Sequence, residues 1–108
     1  MAHYMFQASY TSEAWAAQMG NPHGFMERAS SLIEALGGKA ESAYYAFGEY
    51  DIVLIAEVPD DVSMAAAALA VAAGGAIKAM KTTTLMTLED GVAAMRKAGA
   101  LGYRPPSS

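Results

Sequence analysis

Phe47–Gly48–Glu49–Tyr50–Asp51 runs directly into Ile52–Val53–Leu54–Ile55–Ala56–Glu57–Val58, so a tight turn joins the most strand-like run of the chain. Along that run Ile52, Leu54, Ala56 and Val58 point one way, while Val53 and Ile55 point the other. Side chains on both faces of such a strand need cover from water, which places it in the middle of a sheet. Helices of one short chain cover a single face. The sequence therefore predicts that the second face is covered by another copy of the same protein.

The composition agrees with that expectation. Of 108 residues, 54% are hydrophobic and only 17% charged, against roughly 45–50% and about 25% in ordinary soluble domains. The length suits one domain, expected over residues 1–98, with 99–108 as an extended C-terminal tail. Net charge is −4, and Arg28, Lys39, Lys78, Lys81, Arg96, Lys97 and Arg104 are scattered, so no clustered basic surface exists for nucleic acid. There is no cysteine, which excludes disulfides, thiolate metal sites and cysteine nucleophiles. The longest apolar run, Ala65–Ala73, is too short to cross a bilayer, and the first residues lack a leader pattern; a cytoplasmic location without a membrane partner is the expectation.

Working outward, His3–Tyr10 alternates with period two and reads as a strand. Thr11–Ser12–Glu13 caps a short helix that Gly20–Asn21–Pro22 ends. Phe25, Ala29, Leu32, Ile33 and Leu36 recur at helical spacing before the stop Gly37–Gly38. Lys39–Phe47 is a second strand in a hairpin with the third. Pro59–Asp60–Asp61 then caps an alanine-rich helix over Val62–Ala73, whose small side chains permit close approach to the sheet. Ala76–Thr87 is the last strand, and Leu88–Ala98 follows as a helix behind Thr87. The order matches an α+β, ferredoxin-like βαββαβ sandwich with an antiparallel sheet, an extra C-terminal helix and oligomerisation through the sheet face. Its first and third strands are central.

Gly48–Glu49–Tyr50–Asp51, with Leu36–Gly37–Gly38 before it and Pro59–Asp60–Asp61 after the third strand, resembles the GYD domain family over roughly His3 to Lys97. The resemblance implies an αβ-sandwich that pairs as the dimeric α/β-barrel proteins do, with two sheets facing each other. It brings no established catalytic residues.

Candidate sites are few. At the Gly48–Asp51 turn, Glu49 and Asp51 are the candidate acids or bases, although turn capping and hairpin packing explain the same residue types. His3, on the strand face with Met5, Gln7 and Ser9, is the other candidate base. His3 and His23 have no local partner at ligand spacing, and no Gly-x-Ser-x-Gly elbow is present, so neither a metal nor a serine nucleophile is indicated. Both glycine pairs follow helices, whereas phosphate loops precede them, and no cofactor is expected. Tyr4, Tyr44 and Tyr50 are the hydroxyl-bearing aromatics expected to hold a small apolar or aromatic ligand. These features favour a small homo-oligomeric binding or structural module. The alternative is a small cofactor-independent oxygenase or isomerase, with His3, Glu49 or Asp51 as base and a tyrosine hydroxyl as hydrogen-bond donor.

Overall fold

The computed structural model describes residues 1–107. Four strands, β1 (Ala2–Tyr10), β2 (Lys39–Tyr45), β3 (Ile52–Val58) and β4 (Ile77–Leu85), form one sheet in the order β2-β3-β1-β4. All pairings are antiparallel. Helices α1 (Ser12–Gly20), α2 (Met26–Ala35) and α3 (Asp61–Ala73) supply the connections, and α4 (Leu88–Gly99) ends the chain. This is the ferredoxin-like arrangement, with β1 and β3 central as the alternating apolar pattern requires.

Period-two alternation sorts the central strands cleanly. Tyr4, Phe6, Ala8 and Tyr10 of β1 and Ile52, Leu54, Ala56 and Val58 of β3 are all buried, facing the helix layer. Phe25 and Ile33 from the α2 side and Met64 and Ala67 from α3 complete that core. On the opposite face His3, Met5 and Gln7 alternate with Val53, Ile55 and Glu57, all half-buried. Both Val53 and Ile55 therefore face away from the helices.

The helix boundaries follow from capping. Thr11 accepts the Ala14 N–H at 3.1 Å to start α1, and Asp60 accepts the Ser63 N–H at 2.8 Å to start α3. α2 closes through Gly37, at φ +81, and Gly38, whose N–H donates back to the Ile33 carbonyl at 2.9 Å. α4 carries Glu89 and Asp90 in its first turn and Arg96 and Lys97 in its last, a charge order that suits its dipole. None of its residues is buried, and its apolar stripe of Leu88, Val92 and Met95 is exposed. The chain measures 58 Å along its longest axis as a result. No described helix is long and apolar enough to cross a membrane.

Candidate functional site

The Gly48–Asp51 corner is stitched to the end of β1 by three hydrogen bonds and to α1 by a fourth. The Asp51 N–H donates to the Ala8 carbonyl at 2.9 Å, and the buried Ser9 hydroxyl donates to the Glu49 carbonyl at 3.0 Å. One carboxylate oxygen of Asp51 accepts the Tyr10 N–H at 2.9 Å and the Trp15 indole N–H at 3.2 Å. The Tyr10 and Trp15 rings meet edge to face at 5.2 Å. Asp51 thus holds β1, the hairpin and α1 together, a positioning task beyond the turn cap that its local sequence suggests.

Beside this corner, between the sheet and the helix layer, lies a cavity of about 510 Å³. Phe6 and Tyr10 of β1 and Ile52 and Leu54 of β3 form its floor; Phe25, Leu32 and Ile33 line one side, and Ala67, Ala68 and Val71 the other. The alanine-rich face of α3 bears on its formation. Small side chains there do not fill the layer, and α2 and α3 do not pack closely on each other, so space remains between them. Gln18 is the unusual wall residue. Its Nε2 donates to the Ala14 carbonyl at 3.2 Å, while its Oε1 is buried without a hydrogen-bond partner. Such a group costs stability until something donates to it. Burial pushes the Tyr10 hydroxyl above its ordinary pKa, opposed by the Arg28 guanidinium, which also lines the cavity.

The structure disperses the three tyrosines expected to act together. Tyr4 is buried under the helix layer and donates its hydroxyl to Asp61, which, with desolvation and the charges of Asp61 and Asp60, pushes its pKa up to about 12. Tyr44 stands opposite Val53 on the open sheet face and is 65% exposed. Tyr50 lies in the turn, and none of the three lines the cavity. Glu49 is exposed. His3 sits on the open face between two carboxylates, 3.4 Å from Glu41 and 3.4 Å from Glu57. His23 contacts Arg28 and the Asn21 carbonyl at the surface.

A family model for the GYD domain matches residues 4–95. The chain belongs to the GYD domain family. Among curated proteins no sequence matches it. Solved structures of similar fold include that of MtbAldR, with a TM-score of 0.59 at 16% identity, covering 80% of this chain and 53% of that one. The GYD chain thus spans about half the length of MtbAldR. FFRP-DM1 is similar with a TM-score of 0.52 at 14% identity, covering 80% of this chain and 100% of the other. The hypothetical protein PHS023 from Pyrococcus horikoshii gives 0.51 at 14% identity, covering 81% and 92%. At these identities the likeness concerns the fold.

Gln18 and the cavity escape sequence reading because an amide in a short helix with no clear apolar stripe looks like any solvated residue. The one available signal is compositional: α3 turns Ala67 and Ala68 towards the core, and such small side chains bring little volume to fill the layer.

Proposed function

We propose that this GYD domain protein is a binding module for a small apolar or aromatic molecule that carries a hydrogen-bond donor, such as a phenol or an indole. The observation that carries the reading is the apolar cavity with Gln18 in its wall, whose Oε1 is buried without a hydrogen-bond partner and reaches a ligand by rotation of the side chain. Pockets of roughly 300–1,000 Å³ with few polar groups suit such ligands. The binding reading is preferred to a cofactor-independent enzyme because none of His3, Glu49 and Asp51 lines the cavity. Asp51 is moreover engaged by Tyr10 and Trp15.

Gln18→Leu separates binding from stability. Removing an orphaned acceptor stabilises the free protein by about 1 kcal/mol, a rise in Tm of ~4 °C. The same change abolishes the thermal shift produced by phenols and indoles in a ligand screen, since their donor loses its partner. If no aromatic donor raises the Tm of the unaltered protein and Gln18→Leu leaves stability unchanged, the reading fails.

The module acts as a homo-oligomer joined through its open sheet face. Support comes from the apolar side chains Met5, Val53, Ile55 and Leu85 on that face and from the uncovered stripe of α4. Ile55→Lys places a charge in the centre of the face, and an unpaired buried charge is strongly unfavourable. Light scattering at micromolar concentration is expected to show an oligomer for the unaltered chain and monomers for Ile55→Lys. A monomeric mass for both rejects the assembly.

A further inference from the structure

We propose that His3, Glu41 and Glu57 form a site for a divalent transition-metal ion of the zinc class on the open face of the sheet. Three neighbouring strands build it. His3 of β1 stands directly opposite Glu57 of β3, and Glu41 comes from β2 on the far side of β3. A register shift between Ala40 and Ser42 marks a bulge at Glu41, a feature that commonly re-aims a side chain. One ligand atom from each residue lies within 4.8 Å of the others.

The distances and charges suit an ion. Bonds of about 2.0–2.1 Å in tetrahedral geometry separate ligand atoms by about 3.4 Å. Glu41 Oε1 lies 3.4 Å from Nδ1 of His3 and Glu57 Oε1 lies 3.4 Å from Nε2, so an ion on either nitrogen has one carboxylate at ligand spacing and must draw in the other. The wider separation closes by rotation of glutamate side chains that are about one-third exposed, 34% for Glu41 and 29% for Glu57. Lys39 stands opposite Glu57 in β2, yet among the described residues no Lys or Arg nitrogen lies within 4 Å of either carboxylate. A half-buried carboxylate, Glu57, and an exposed one, Glu41, therefore share one imidazole as their close electrostatic partner. A mixed nitrogen and oxygen donor set suits Zn²⁺ better than Mg²⁺ or Ca²⁺, which take oxygen alone. Three protein ligands leave one of four tetrahedral positions to a further group. This inference is independent of the cavity and its ligand.

The test is calorimetric titration of the full chain with Zn²⁺ in a non-chelating buffer, beside His3→Ala, Glu41→Gln, Glu57→Gln and the control His23→Ala. One ion per protomer with micromolar or tighter affinity is expected, weakened roughly tenfold or more by each of the first three changes and unaltered by His23→Ala. Absence of saturable binding overturns the proposal. So does affinity that survives both glutamate substitutions and falls only with His3→Ala, which would place the ion on the imidazole and the adjacent main chain. Circular dichroism checks each variant for its fold. Where a variant unfolds, Co²⁺ absorption of the unaltered chain decides: intense visible bands of low-coordinate Co²⁺ support the site, and the weak bands of the aqueous ion reject it.

Discussion

Gly38→Ala is expected to destabilise the protein by about 4 kcal/mol, lowering Tm by roughly 15 °C or more. A Cβ at this position would meet the Glu57 carbonyl oxygen at 2.2 Å, Val58 Cγ1 at 2.8 Å and Ile33 Cγ2 at 3.0 Å. The first obstacle is backbone of the central strand β3, so no rotamer change relieves it. Either α2 tilts away from the sheet or the start of β2 loses its pairing with β3. Each route opens the core around Ile33 and Val58, both almost wholly buried. Gly37→Ala provides the contrast. Its Cβ would meet only Pro59 Cγ, at an ordinary 3.6 Å, and the cost is that of a left-handed residue at φ +81, about 1 kcal/mol. Urea denaturation followed by far-UV circular dichroism ranks the two. A Gly38→Ala protein as stable as Gly37→Ala contradicts the close approach of helix terminus and strand.

Asp51→Ala is expected to cost about 3 kcal/mol, with a fall in Tm of ~12 °C. Its carboxylate accepts the Tyr10 N–H and the Trp15 indole N–H, and bonds to a charged acceptor contribute about 1.5–3 kcal/mol each. Truncation leaves both donors without that partner in a half-buried corner, and water recovers part of the loss. Trp15 then leaves its edge-to-face position against Tyr10, and its fluorescence moves towards that of a solvated indole. Asp51→Asn keeps an acceptor oxygen in place and loses only about 1 kcal/mol, the difference between a charged and a neutral acceptor. Equal stability of Asp51→Ala and the unaltered chain would show that the corner is held without its carboxylate, by the Ser9 hydroxyl on the Glu49 carbonyl and the Asp51 N–H on the Ala8 carbonyl.

The two substitutions also mark a boundary in what local sequence reveals. Alternation in His3–Tyr10 and Ile52–Val58 identifies the central strands, because the two-residue period is a property of the extended backbone itself. Thr11, Asp60 and Thr87 announce helix starts because each bonds an N–H three residues on. With these signals in order, the βαββαβ arrangement is legible from end to end, and so are the exposed second face of the sheet and the family likeness around Gly48–Asp51.

The site is not legible in that way. Asp51 reaches Tyr10 and Trp15, 41 and 36 residues away, so turn chemistry accounts for its residue type and not for its partners. The bulge between Ala40 and Ser42 interrupts the alternation of β2, and with it the rule that would have placed Glu41. His3, with no ligand at local spacing, acquires two only when β1, β3 and β2 lie side by side. The cavity exists because two helices from distant parts of the chain stand apart over the sheet, and the volume that neither fills is a property of both. Periodicity and capping arise within a few residues and survive in the bare sequence. Register, bulges and voids are settled by which surfaces meet, and that is decided only by the packed chain.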